Sequence, residues 1–166
     1  GRYARALELL GEASQSADSA SSRNLAFYYQ GLALFELGMY YSSYVSFKNV
    51  LLTADANNKH VYEKAIKNSV TIADKLDMIE AAGKVVDALP AGYISPSVSA
   101  HSNYAAGAHY FSLGEDAKAA AKLKSVNPEN PFYAKATFLL GVIATRSKNY
   151  SEAIANFERS LQACGN

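Results

Sequence analysis

Small residues recur in this chain at a near-constant interval, and that recurrence limits the possible folds more than any other feature. Ser43 is followed four residues later by Phe47, and the same small-then-large pair occurs as Ala6/Leu10, Ala81/Val85, Ala119/Leu123 and Ala153/Phe157. The small members stand 37, 38, 38 and 34 positions apart. Twelve positions before each of the last four lies another small residue: Gly31, Ser69, Gly107 and Gly141. Three of these are glycine within helix-forming text, where glycine costs roughly 1 kcal/mol relative to alanine. Close approach of two helices offsets such a cost. The pattern therefore predicts antiparallel helix pairs in which small faces small, with the large residue one turn later filling the space beside the crossing.

The rest of the text agrees with helices. The prolines, Pro90, Pro96, Pro128 and Pro131, all lie in short breaks, and Val, Ile and Thr do not alternate as strands require. Nine helices are predicted over 2–14, 23–37, 40–54, 59–75, 77–89, 98–113, 115–125, 131–147 and 150–163. Gly38, Gly114 and Asn149 suit left-handed helix ends. Loops are expected at Ser14–Ser22, at Asp55–Lys59, at Pro90–Ser97 and at Asn127–Pro131. The first of these, rich in serine, reads equally as a flexible linker or as an ordinary connection.

These residues carry a resemblance to the tetratricopeptide repeat (TPR) superfamily, whose helix–turn–helix unit follows W-x2-L-G-x2-Y…A-x3-F…P. The fullest match is Thr137-x2-Leu140-Gly141-x2-Ala144, then Tyr150, then Ala153-x3-Phe157. Phe27-x2-Gln30-Gly31-x2-Leu34 leads to Gly38, Tyr40 and Ser43-x3-Phe47; Asn103-x2-Ala106-Gly107-x2-Tyr110 leads to Ala119-x3-Leu123 and Pro128. The unit around Ser69 and Ala81 is degenerate. The chain departs from the pattern in lacking tryptophan and in its longer spacings.

The resemblance implies an all-α solenoid, a right-handed superhelix built as one array over 1–166. A lone second helix (2–14) would precede repeats over 23–54, 59–89 (degenerate), 98–125 and 131–163. In this family, first helices line a concave groove that receives a peptide or a partner helix. Carried onto this sequence, that groove comprises Tyr28, Leu32 and Phe35, then Ile66, Val70 and Ala73, then Tyr104, Ala108 and Phe111, then Phe138, Val142 and Thr145, with Arg146 at its edge. The helix around Gly31 is apolar nearly all round and so must be covered on every side. Either a partner covers its groove face, or the aromatics pack on one another. The Lys/Asn clamp with which related co-chaperones hold a terminal carboxylate is missing, because Tyr28, Leu32, Ile66 and Val70 occupy the matching positions. Groove-edge charges change from Glu36, Glu63 and Asp74 to His101, Lys135 and Arg146. That gradient either orients a dipolar ligand or is solvated surface.

Composition narrows the function. With 16 Lys+Arg against 15 Asp+Glu in 166 residues, the net charge of +1 lacks the basic excess of a general nucleic-acid binder. Apolar residues make up 49 %, enough for a core, yet no run reaches the length of a membrane span. No metal or cofactor is expected: His101 and His109 have no carboxylate or cysteine at ligand spacing, and no phosphate-binding or nucleophile motif occurs. The single Cys164 stands in a tail expected to fray. The leading expectation is a non-enzymatic interaction scaffold or adaptor binding a protein or peptide. The alternatives are a self-assembling structural module and an accessory domain of a larger enzyme. The chain opens on Gly1, in text that already reads as helix, and neither end has a polar cap. Either a longer parent continues, or the ends self-associate. Cytoplasm and bacterial periplasm both remain open.

Overall fold

The computed structural model describes residues 2–53 and 58–165. Among them are nine α-helices and no strand: α1 (Arg2–Ser16), α2 (Ala20–Glu36), α3 (Tyr40–Leu52), α4 (Lys59–Lys75), α5 (Ile79–Asp87), α6 (Pro96–Ser112), α7 (Asp116–Leu123), α8 (Tyr133–Arg146) and α9 (Tyr150–Cys164), with a 3-10 turn at Ala91–Tyr93. The chain forms two compact units, Gly1–Met78 with Ala88–Ser95, and Ile79–Asp87 with Pro96–Asn166. The predicted helices are all present. The loop expected at 55–57, and the predicted helix end at Ala54, lie outside the described residues.

In the first unit α2 packs on α1 and α3, and α4 packs on α3, α2 and the 3-10 turn. The small-residue pairing predicted for α2 and α3 is present, with a more specific cause than small facing small. A side-chain carbon built on Gly31 would lie 2.8 Å from the Phe47 ring, so the glycine makes room for the large residue itself. Ser43 sits beside it and donates Oγ–H to the Gly31 carbonyl at 2.7 Å. A buried polar knot ties the three helix ends. Asn24 Nδ2 donates to the Thr53 carbonyl (2.9 Å) and to Tyr62 Oη (3.2 Å), while Thr53 Oγ1 donates to Asn24 Oδ1 and the Tyr62 hydroxyl donates to the Thr53 carbonyl. Every polar group in it has a partner, which burial demands.

In the second unit α6 packs on α5 and α7, and α8 packs on α9, α7 and α6. Gly107 lies under Leu123, with a hypothetical side-chain carbon 2.6 Å from Leu123 Cγ and 3.4 Å from the Ala119 carbonyl, so the Gly107 and Ala119 surfaces meet as predicted. Gly141 makes the same room for Phe157. The α5 register differs from expectation. Ala81 is exposed, whereas Ala82, Gly83 and Val86 are buried. At Gly83 a side-chain carbon would fall 2.0 Å from the Ala105 carbonyl oxygen, so α5 meets α6 backbone to backbone.

Four helices end in one kind of turn. After α2 the Gly38 N–H bonds the Phe35 carbonyl and the Met39 N–H reaches back to Leu34; the same pair recurs at Asp77/Met78, Gly114/Glu115 and Lys148/Asn149. The left-handed residues are Gly38 (φ 73), Asp77 (φ 53), Gly114 (φ 74) and Lys148 (φ 60). Asn149, expected in that role, instead caps α9, its side chain accepting from the Glu152 N–H. The serine-rich Ser14–Ser22 stretch is no linker. Helix α1 continues to Ser16 and α2 begins at Ala20, capped by Ser19 Oγ accepting from the Ser22 N–H at 3.1 Å.

Candidate functional site

The second unit contains an open apolar cleft of about 460 Å³. Helix α6 contributes Tyr104, Ala108 and Phe111, spaced four and three residues apart and so on one face. Helix α8 contributes Ala134, Lys135, Phe138 and Leu139; Ile79 and Glu80 from α5, and Ser160 and Cys164 from α9, complete the lining. The walls are held by packing. Tyr104 stacks on Phe132 with centroids 4.6 Å apart and planes within 9°. Phe138 leans on Phe157 at 5.7 Å. Ser160 Oγ donates to the Ala134 carbonyl at 2.7 Å and fixes α9 to the start of α8. Arg146 lies 4.2 Å over the Phe111 ring and pairs with Asp116 at 2.9 Å, so its charge is spent on positioning that ring.

Of the expected groove residues, Tyr104, Ala108, Phe111 and Phe138 come together here. Val142 is half-buried outside the lining, and Arg146 holds Phe111. The others belong to the first unit. Leu32 and Phe35 border a smaller hollow of about 220 Å³ with Glu36, Phe47, Asn68, Thr71 and Ile72. Tyr28 is buried between Tyr29 and Phe47. Burial raises the pKa of its hydroxyl above the ordinary tyrosine range, partly countered by a hydrogen bond with Asn68, so it stays neutral. Ile66 and Val70, with Ala73, depart from the expectation: all three are fully buried, so they present no open surface.

Leu139, Ala134, Ser160 and Cys164 were not foreseen. Leu139 stands one turn after Lys135, the residue the sequence places at the groove edge. Cys164, expected in a fraying tail, is the last residue of α9. His101, expected on the surface or in the groove, is buried. Asn130 Oδ1 accepts from the Phe132 N–H (2.9 Å), which turns Asn130 Nδ2 toward His101 Nδ1 (3.2 Å) and makes that ring nitrogen the acceptor. Away from the cleft, Asp87 on α5 accepts from the Tyr110 hydroxyl and pairs with Lys122 at 3.0 Å. Burial pushes the Asp87 carboxyl up, but the bonds from Tyr110 and Lys122 and the charges of Lys122 and His109 outweigh it and hold the group below its ordinary range. Among the described residues no three His, Cys, Asp or Glu side chains are grouped to hold a metal ion, and no helix is long and apolar enough to cross a membrane.

No protein-family model and no curated protein matches the sequence. Solved structures do. A form of MamA from Desulfovibrio magneticus RS-1, starting at its residue 41, is similar at 21 % identity over 98 % of this chain and 86 % of its own, with a TM-score of 0.61. A crystal structure of MamA aligns at 17 % identity over 95 % and 85 %, TM-score 0.62. YrrB, described as a TPR protein with an unusual peptide-binding site, aligns at 18 % identity over 98 % and 78 %, TM-score 0.62. Identities this low speak to architecture, and the architecture is a TPR-like helical repeat.

Proposed function

We propose that this chain is a non-catalytic interaction module that takes a short apolar or aromatic segment of a protein partner into the cleft of its second unit. The observation that carries the reading is the cleft itself. Tyr104, Ala108, Phe111, Phe138 and Leu139 converge on a concavity large enough for one or two bulky side chains. Phe138 is half exposed although rings of that size favour burial. Two aromatics are pre-positioned, Tyr104 by Phe132 and Phe111 by Arg146, so little side-chain entropy remains to be lost on binding. Peptide binding by YrrB, which shares the architecture, favours the same use here.

Selection from a displayed random-peptide library tests the proposal. Recovered peptides are expected to carry aromatic or branched aliphatic anchors, to bind the purified chain saturably, and to lose most of their affinity for the Phe138→Ser variant. Recovery of no peptide, or equal affinity for the variant, refutes it.

A further inference from the structure

Histidine is the side chain whose charge changes in the range around neutrality, and one histidine of this chain, His101, is buried beside the cleft wall. It stands in the second turn of α6, 6 % exposed. Its ring meets Phe132 edge-on with centroids 5.4 Å apart, and Phe132 is the ring on which the cleft residue Tyr104 stacks. Phe132 itself is seated by Asn130. Asn130 Oδ1 holds the Phe132 N–H at the start of α8, and Asn130 Nδ2 donates to His101 Nδ1. Two further bonds close this short loop: the Asn130 N–H on the Asn127 carbonyl (3.0 Å) and the Tyr133 N–H on the Asn130 carbonyl (2.9 Å). A titratable ring, one amide and Phe132 thus lead without a break to the cleft wall.

With Nδ1 accepting, the neutral ring carries its hydrogen on Nε2, so a further proton enters at Nδ1. That nitrogen then donates, and it faces a donor. Turning the Asn130 amide over gives His101 the oxygen but sets the amide N–H groups against the Phe132 N–H. No orientation of Asn130 satisfies both partners once His101 is charged, and a buried donor left unpaired is costly. Most acids on the elements around α6 are held by other groups. Asp87 of α5 pairs with Lys122 of α7, Asp116 of α7 with Arg146 of α8, and Glu115 with Lys118; Glu129 in the loop accepts from Asn127. Glu80 of α5 and Lys135 of α8 line the cleft, Lys84 of α5 is exposed, and Lys124 pairs with Glu152 of α9. His109 lies two turns further along α6, tilted on Tyr110. Tyrosines stay neutral throughout the acid range. We propose that His101 is a positioning residue that makes the cleft responsive to pH: the neutral ring keeps Phe132 seated against Tyr104, and the charged ring unseats it, so the cleft holds its segment at neutral pH and releases it in mild acid. The consequence for binding rests on the cleft reading above; the change in the wall does not.

Aromatic NMR of the full chain between about pH 7.5 and pH 5.5, the range in which histidines charge, tests the wall without any ligand. The His101 ring signal, identified by its absence from His101→Asn, is expected to titrate, and the Tyr104 ring protons to lose the shift that stacking on Phe132 gives them with the same midpoint. His101→Asn keeps an acceptor near Nδ1 that cannot charge, so its Tyr104 signals are expected to stay fixed. Asn130→Asp offers an oxygen to the charged ring and to the Phe132 N–H together, so it is expected to hold the stack through the same acid range. Peptides recovered from the cleft selection are expected to bind the parent roughly three- to tenfold more weakly at the acid end, the worth of one aromatic pair, and Asn130→Asp with little change. The proposal is overturned by Tyr104 signals that ignore the His101 titration, by a His101 that does not charge in this range, by the same acid response in Asn130→Asp, or by acid unfolding of the whole chain in far-UV circular dichroism. Peptide affinity independent of pH overturns its binding consequence. Failure to recover any peptide instead refutes the cleft reading, and the ligand-free titration still decides the role of His101.

Discussion

Substituting Gly83 by alanine tests the α5–α6 packing most directly. Alanine is the better helix former by about 1 kcal/mol, so a glycine with no tertiary role would be stabilised by the change. At Gly83 the new carbon would stand 2.0 Å from the Ala105 carbonyl oxygen and 2.7 Å from both the Ala105 carbonyl carbon and His109 Cβ. The first two are backbone atoms that no rotamer change can move. The helices would have to part by roughly 1 Å or more, and a gap of that size forfeits a quarter to a half of the dispersion energy across the interface. That interface is fully buried around Ala82, Val86 and Ala105. Overpacking of this severity costs about 3 kcal/mol or more, leaving a net loss of about 2 kcal/mol after the propensity gain. For a chain of this length the melting temperature then falls by roughly 4–8 °C. Thermal melts followed by far-UV circular dichroism measure it. Gly11→Ala is the control, since a carbon there meets nothing within 4 Å and the variant is expected to gain up to about 1 kcal/mol. A Gly83→Ala protein melting at or above the parent refutes the backbone contact.

Gly107→Ala and Gly141→Ala are expected to cost less than Gly83→Ala, and in that order: both clash with side chains, but Leu123 is buried whereas Phe157 is partly exposed and can turn away, as urea unfolding of the set will rank. Lys148→Gly is expected to stabilise by about 0.5–1 kcal/mol in the same assay, because release of the left-handed strain exceeds the entropy glycine adds to the unfolded chain. Ser102 is buried with no partner for its hydroxyl, so Ser102→Ala is expected to be neutral or to stabilise by up to about 1 kcal/mol; a loss of more than that would reveal a hidden partner. Because the folded Asp87 carboxyl lies below its unfolded value, its contribution is complete above about pH 4 and fades as pH falls through the folded value, so Asp87→Asn is expected to flatten the acid limb of stability against pH. The Tyr110 hydroxyl is raised, first by its bond to Asp87, so its contribution holds below about pH 10 and fades above it; Tyr110→Phe is expected to flatten the alkaline limb.

The helices and three of the four glycine or serine contacts were legible because one local rule, small residue then large residue one turn on, repeats with little variation. The rule failed at α5, where the three consecutive small residues Ala81, Ala82 and Gly83 satisfy any register. Repeat spacing selected Ala81, but the buried face is Ala82, Gly83 and Val86. The discriminating signal was present: a glycine inside a nine-residue helix needs a tertiary reason, and alanine does not.

The candidate site was half legible for a different reason. Its α6 and α8 walls follow from register within single helices, and Tyr104, Ala108, Phe111 and Phe138 are where that register puts them. Whether a groove-register residue is open depends instead on what lies over it, which is a contact distant in sequence. The Pro90–Ser97 stretch looked like a plain connection, yet it returns to α4 and sets Tyr93 edge-on to Tyr62 at 5.1 Å. Asn24 gives the same lesson from the polar side, since its partners Thr53 and Tyr62 stand 29 and 38 residues away. A buried polar residue with no local partner, such as Asn24, therefore points to a contact distant in sequence, and the half-exposed Phe138 ring at the cleft is where a partner outside the chain is proposed.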